Sequence, residues 1–127
     1  MLAAFDFGLK KVGVAIADSS LAEPISVLRY ETEEELFKKI KEFLEKEKPE
    51  KIVVGISEGE MGEKSKEFGD KLFEVFGIPV RFQDETLSTM DANNMTIESH
   101  MKRKKRKEMI DAMAAAVMLQ SYIDIDL

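Results

Sequence analysis

The chain of 127 residues contains no cysteine and a single histidine, His100. The absence of cysteine excludes disulfide bonds and thiolate zinc sites, and it makes a reducing cytosol the default setting. We expect His100, which precedes a basic run, to be a surface residue without a role in chemistry.

Long apolar runs are also missing. No segment approaches the roughly 18 apolar residues of a membrane span, and the N-terminus lacks a basic segment followed by an apolar stretch. We therefore expect a cytoplasmic protein that is neither secreted nor inserted in a membrane. The length predicts one domain over residues 1–127, with roughly 68% of the unfolded surface buried on folding.

Charge is plentiful but unevenly placed. Charged residues make up 35% of the chain, against about 25% in an average protein, and the net charge is −6. Six of the 19 basic residues are consecutive, from Lys102 to Lys107, so the other 13 face 25 acidic residues, a balance of −12. Such a local run lets an acidic protein hold phosphate, although it is also compatible with a solvated loop.

The first half of the chain reads as strands. Leu2–Phe7 and Val12–Ala17 are short apolar runs joined by a loop of hairpin length that contains Gly8, and Ile25–Tyr30 alternates apolar with polar residues. Three strands in succession favour an antiparallel meander.

The apolar pattern then alternates between helical and extended periods. The elements expected are a helix capped by Thr32, the strand Ile52–Ile56, a helix from about Glu63 to Phe76, the strand Val80–Gln83, a helix start at Ser88, and a helix from about Glu108 to Ile123. The order predicts an α/β domain with a mixed five-stranded sheet, in which a three-strand antiparallel meander adjoins parallel strands and helices cover the sheet.

Acidic residues stand where the apolar elements end or begin. Asp6 closes the first strand, Asp84 and Glu85 follow the last one, and Asp111 interrupts the final helix. Carboxylates attached to core-forming elements are rarely buried unless they are paired or hold a metal. Sites in open α/β sheets form outside the carboxyl ends of strands, so a shared divalent cation and phosphate-ester chemistry are the leading interpretation.

Asp111 has a second interpretation. We place it in about the first turn of the final helix, where a carboxylate stabilises the helix dipole without any further role. The alanines around it favour the alternative, because a helix with an alanine face can approach a sheet closely and bring Asp111 near the strand ends.

Five motifs occur together in one order, and they cover nearly the whole chain. They are Asp6-Phe7-Gly8, Val12-Gly13-Val14-Ala15, Ile52-Val53-Val54-Gly55, Asp84-Glu85-Thr86-Leu87-Ser88-Thr89 with Ala92, and Ile110-Asp111-Ala112-Met113-Ala114-Ala115. In this combination the chain resembles the YqgF/RuvX family of the RNase H-like superfamily, which includes the RuvC-type resolvases.

The resemblance implies an RNase H-like fold and an acidic site that holds Mg²⁺ or Mn²⁺. Carried over by position, the catalytic and metal-binding residues are Asp6, Glu85 and Asp111, with Asp84 a weaker candidate. Oxygen ligands suit these ions better than zinc. The implied activity is that of a nuclease in maturation of the 5′ end of 16S ribosomal RNA precursors, and an older label for the family is Holliday-junction resolvase.

The chain departs from the family pattern in two places. Thr86 stands where the family usually has arginine, which removes a bidentate phosphate contact. Residues 57–61 replace a loop that usually contains Pro, Asn and Asp, and they bring in Glu58 and Glu60, which read either as added ligands or as a solvated loop.

The mechanism that follows is hydrolysis by water, with two Mg²⁺ ions about 4 Å apart shared by the carboxylates. Nucleic-acid-binding candidates are the basic residues Lys10, Lys11, Lys102, Arg103, Lys104, Lys105, Arg106 and Lys107. The sequence leaves several alternatives open. The substrate is an RNA precursor or branched DNA, or the domain is a module that binds nucleic acid without cutting it. Contacts with ribosomal particles are also open, as is the choice between a monomer and a homodimer.

Overall fold

The fold is taken from a computed structural model that describes residues 1–56, 59–84 and 103–126, with side chains described in the last segment for 109–125. The strands are β1 (Leu2–Phe7), β2 (Lys11–Ala17), β3 (Ala22–Arg29), β4 (Lys51–Ile56) and β5 (Val80–Asp84). The helices of this part of the chain are α1 (Glu33–Glu47), α2 (Glu60–Phe76) and α3 (Arg103–Asp126). The helix start expected at Ser88 lies outside the described residues.

The strands form one mixed sheet in the order β3-β2-β1-β4-β5. β1, β2 and β3 pair antiparallel, whereas β4 runs parallel to both β1 and β5. The meander and the parallel half expected from the element order are therefore confirmed. Parallel pairing of β1 with β4 brings the carboxyl ends of these central strands to the same edge of the sheet.

Side-chain alternation divides the sheet into two faces with different cores. Ala4 lies in a cluster with Ala115 and Leu119 of α3. Phe5, the next residue along β1, lies in a second cluster with residues of α1 and α2 such as Ile40. The sheet is thus sandwiched between α3 on one face and the two other helices on the opposite face.

α1 begins and ends as its sequence predicts. The Thr32 hydroxyl accepts a hydrogen bond from the Glu35 backbone N–H at 3.2 Å. Lys48 caps the C-terminus of the helix, where it adopts a left-handed conformation and donates its backbone N–H to the Leu44 carbonyl. Pro49 follows and cannot continue the helix.

Two expectations about the other helices were wrong. α2 begins at Glu60, three residues before the position expected. α3 begins at Arg103 rather than near Glu108. Lysine and arginine are good helix formers, so the basic run continues the helix instead of forming a loop.

The longer α3 also changes the setting of Asp111. This residue lies eight positions after Arg103, beyond the first turn to which the dipole effect is confined. Stabilisation of the helix N-terminus therefore does not account for it. No helix in the described ranges is long and apolar enough to cross a membrane.

α3 approaches β2 closely at Gly13. A Cβ atom built on Gly13 would lie 1.9 Å from the backbone carbonyl oxygen of Asp111 and 2.9 Å from the backbone nitrogen of Ala112. These are backbone atoms, which cannot rotate away as a flexible side chain could. The contact fixes the height of α3 above the sheet, and only glycine fits at this position.

A Gly13→Ala substitution tests this contact. We expect it to lower the free energy of unfolding by about 3 kcal/mol, the upper end of the cost of overpacking, because the helix backbone must move. Chemical denaturation of the two proteins measures the difference, and an unchanged midpoint would contradict the close approach.

Candidate active site

Asp6 lies near the carboxyl end of β1 on the face that α3 covers. It shares this face with Leu2 and Ala4, both of which pack in the α3 cluster. Its cross-strand partner on β2 is Gly13. The side chain of Asp6 is partly buried.

Asp111 is brought to the same place by the packing of α3. Its backbone carbonyl lies directly over Gly13, the cross-strand neighbour of Asp6. Its side chain is 29% exposed, so the carboxylate reaches solvent. The structure thus gathers two of the three carboxylates singled out in the sequence at one end of one sheet face.

Lys11 completes this group with a positive charge. It is the first residue of β2 and lies two positions before Gly13, hence on the same face. Its ammonium nitrogen is 2.9 Å from Oδ2 of Asp111. The ion pair joins the start of β2 to α3 across the site.

Lys10, the other lysine of the hairpin, has a different partner. Its ammonium nitrogen lies 3.3 Å from the carboxylate of Glu31, and both side chains are highly exposed, at 74% and 81%. It therefore contacts the segment after β3.

Tyr30 fixes the hairpin that carries both lysines. Its hydroxyl donates a hydrogen bond to the Gly8 carbonyl, and its backbone N–H donates to the Lys10 carbonyl at 3.1 Å. Burial raises the pKa of Tyr30 above its usual value, and the nearby Glu33 carboxylate raises it further. The folded state therefore keeps the phenol proton to a higher pH than the unfolded chain does. The stability that this difference contributes is present at neutral pH and is lost as the pH rises through the alkaline range.

The carboxylates after β5 divide between described and undescribed residues. Asp84 ends β5 and lies, by alternation, on the face of Val80 and Phe82, which pack in the cluster beneath α1 and α2. That is the face opposite Asp6. Glu85 lies outside the described residues.

A three-carboxylate metal site stays a prediction. Within the described ranges no three potential ligands stand together, and Glu85 falls outside those ranges. The donors that do converge, Asp6 and Asp111, are carboxylates, the hard oxygen ligands that Mg²⁺ and Mn²⁺ prefer. Their chemistry therefore fits the cation expected from the sequence.

The basic run continues directly into the helix that carries Asp111. Residues 103–107 form the first turns of α3, and Lys102 precedes the described part of the helix. Helical spacing puts positions 104 and 107 on the same side of α3 as position 111. The run is therefore part of the element that forms the site.

The residues that depart from the family pattern are only partly described. Thr86 and Glu58 lie outside the described residues. Glu60 stands in the first turn of α2, with its side chain 84% exposed and 3.8 Å from the Lys64 ammonium. Glu60 is therefore solvated, as the second interpretation expected, but it belongs to a helix and not to a loop.

A separate pocket lies on the other face of the sheet. It has a volume of about 320 Å³ and is lined by aromatic residues such as Phe7, Phe37 and Phe68, with Lys64 and Lys71 also in the lining. Phe7 follows Asp6 in β1 and points the opposite way. The sheet therefore separates this pocket from the carboxylates.

Two features of the site were missed in the sequence. In the sequence, Gly13 is only part of a motif, and Lys11 is only a candidate contact for nucleic acid. The signal in the sequence that links them is the alternation along β2, which puts Lys11 and Gly13 on one face. It does not say which helix covers that face, and so the pairing with Asp111 could not be read from it.

Comparison with known proteins decides the family. The family described as "RuvX: Holliday junction resolvase" matches residues 1–125. The chain belongs to the RuvX family. A relative from Caldanaerobacter subterraneus subsp. tengcongensis, named as a candidate pre-16S rRNA nuclease, is 45% identical over an alignment that covers 94% of this chain and 92% of the relative. A relative from Lactococcus lactis subsp. lactis with the same name is 36% identical, with coverage of 94% and 90%.

Solved structures confirm the RNase H-like fold of this RuvX protein. T. thermophilus RuvC in complex with a Holliday junction substrate matches with a TM-score of 0.63 and 17% identity, over 98% of this chain and 95% of that one. The fowlpox virus Holliday junction resolvase matches with a TM-score of 0.62 and 12% identity, over 99% of both chains. At these identities the likeness establishes the fold alone.

The Tyr30 tether gives a test of how the hairpin is held. We expect Tyr30→Phe to cost about 1 kcal/mol of stability, because it leaves the Gly8 carbonyl without its donor. Hydrogen exchange at the amides of Leu9 to Lys11 should speed up.

Tyr122→Phe is the matched control, because it removes a hydroxyl that accepts a hydrogen bond from Lys51 at 3.2 Å, away from the hairpin. Equal exchange at the hairpin amides in both variants would contradict the tether.

Proposed function

We propose that this protein is a metal-dependent nuclease that hydrolyses phosphodiester bonds of structured nucleic acid. Asp6, Glu85 and Asp111 would hold Mg²⁺ or Mn²⁺, with Asp84 the weaker candidate. The observation that carries the proposal is the placement of Asp6 and Asp111 at one end of one sheet face, on either side of the contact at Gly13.

In the proposed mechanism the carboxylates bind the metal and the basic residues bind the substrate. The carboxylates concentrate negative charge at a solvent-accessible edge, where a bound divalent ion would stabilise the charge that develops on the attacking and leaving oxygens. Lys10, Lys11 and the run 102–107 would bind the phosphate backbone. Water serves as the nucleophile, so no serine or cysteine is required.

The substrate we favour is the 5′ end of precursor 16S ribosomal RNA. The support is the name shared by relatives that are 45% and 36% identical over most of both chains. This substrate implies action in the cytoplasm and contact with ribosomal particles. Cleavage of four-way DNA junctions is the second candidate, because the family that matches residues 1–125 is described as a Holliday junction resolvase.

An Asp6→Asn variant tests the catalytic assignment. We expect cleavage of a precursor 16S rRNA fragment to require Mg²⁺ or Mn²⁺, to stop with EDTA, and to fall at least about a hundredfold in the variant, a loss typical of removing one group that stabilises transition-state charge. Asp18→Asn is the matched control, since Asp18 is exposed at the other end of β2.

A four-way DNA junction assayed beside the RNA distinguishes the two substrates. Cleavage of the junction alone would replace rRNA processing with resolution. Tight binding of both nucleic acids without cleavage in any metal would overturn the nuclease assignment and leave a non-cleaving binding module.

Replacing all six residues of the run 102–107 with glutamine tests the grip on the phosphate backbone. Each lost phosphate contact should reduce the slope of log affinity against log salt by about 0.7 to 0.9. Glutamine keeps the helix propensity of the replaced residues.

Lys38, Lys41 and Lys46 provide the comparison, because they are exposed on α1, on the opposite face of the sheet. Their replacement with glutamine should change the slope less per charge removed. Equal changes per charge would contradict a specific role for the run.

A further inference from the structure

The two adjacent lysines of the hairpin are used in different ways. Lys10 is 74% exposed and pairs with Glu31 on the surface. Lys11 is 43% exposed and reaches into the carboxylate site, where its ammonium nitrogen lies 2.9 Å from one oxygen of Asp111. A positive charge of the protein thus stands where the proposed function requires a metal ion.

We propose that Lys11 competes with the divalent metal for Asp111. Metal binding must displace the ammonium group from the carboxylate, and the displaced ammonium then becomes available to a phosphate of the substrate. This inference rests on the proposed function in one respect, namely that Asp111 is a metal ligand.

The backbone holds Lys11 in reach of Asp111 independently of any ligand. Alternation along β2 directs Lys11 to the face that α3 covers, and the contact at Gly13 sets α3 at a fixed height above it. The tether from Tyr30 to Gly8 and Lys10 limits how far the start of β2 can move. The ion pair is therefore built in by rigid elements on both sides.

The charges explain why the ion pair between Lys11 and Asp111 weakens metal binding without preventing it. An ammonium group occupies lone pairs of the carboxylate and repels a second cation that approaches it, so it lowers the affinity for a metal. The pair is partly exposed, and such pairs are individually weak. A divalent ion can therefore displace the lysine, which has a flexible stem and a route to solvent.

Displacement links the metal to the substrate. A phosphate group offers the freed ammonium a new partner, so substrate and metal should each strengthen the binding of the other. Without nucleic acid, the site would then bind metal more weakly than the same carboxylates would in the absence of Lys11.

Mn²⁺ binding to the protein without nucleic acid gives the direct test. Lys11→Met keeps the apolar stem and removes the charge, and we expect it to raise the Mn²⁺ affinity by about fivefold, the size of a partly exposed ion pair. Lys11→Arg should keep the wild-type affinity within about twofold, because it retains the charge. Lys10→Met should leave the affinity for Mn²⁺ unchanged, because Lys10 pairs with Glu31.

A double-mutant cycle with Asp111→Asn separates competition from a general effect of charge. Competition for Asp111 predicts that the gain from Lys11→Met disappears in the Asp111→Asn background. A gain that persists there, or an unchanged or weaker affinity in Lys11→Met alone, overturns the proposal. Failure of the proposed function looks different, because Mn²⁺ binding by the wild type would then be insensitive to both Asp6→Asn and Asp111→Asn.

The wild-type protein supplies a measurement that does not depend on any variant folding. Acylation of lysines by an amine-reactive ester, followed by mass spectrometry, should show Lys11 reacting faster at saturating Mn²⁺ while Lys10 is unchanged. Equal reaction rates of Lys11 with and without Mn²⁺ would overturn the displacement.

Discussion

The contact between the α3 backbone and Gly13 is the constraint on which the site depends. A helix normally rests on a sheet at a distance set by its side chains, but here the Asp111 carbonyl occupies the space that any Cβ at position 13 would need. The alanines that follow Asp111, namely Ala112, Ala114, Ala115 and Ala116, are buried, with the exposed fraction of each at 3% or less. They let the helix keep this low position along the sheet. Asp111 consequently lies over the face of the sheet that carries Asp6, and its carboxylate pairs with Lys11 of β2.

The two faces of the sheet differ in the size of the side chains that line them. The face beneath α1 and α2 holds the large apolar side chains, including Phe5 and Phe68, whose ring centroids lie 6.2 Å apart in an edge-to-face arrangement. Aromatic pairs of this kind contribute stability beyond their buried area. The α3 face is lined instead by small residues such as Ala4 and Ala15. Large side chains at these positions would lift α3 from the sheet, so the small residues preserve the close approach that places Asp111 over Gly13.

The sequence predicts the order of the described elements and the mixed sheet, because the apolar period changes sharply between strands and helices. The predictions from the sequence fail at two identifiable places. The apolar pattern predicts the start of α3 near Glu108, whereas the helix already includes Arg103, because lysine and arginine favour helices. That error put Asp111 in a first turn. The pairing of Lys11 with Asp111 could not be predicted, because it joins residues 100 positions apart through a helix height set by Gly13. Periodicity reports which way a side chain points from its own element, but not what lies opposite.

We propose that the basic run serves a ligand and not the helix. Positive charges are unfavourable at a helix N-terminus, where each costs about 0.3 to 1 kcal/mol when it opposes the macrodipole. Five of the six basic residues occupy the first turns of α3, and acidic residues are absent from the first turn. Repulsion among them adds to the cost in the folded state. A polyanion removes both penalties at once, because phosphates neutralise the side chains and are favoured by the helix dipole. Under the proposed function, the same helix would carry charge for the substrate backbone in its first turns and a carboxylate of the site at Asp111, so a nucleic-acid strand would approach Asp111 along this helix.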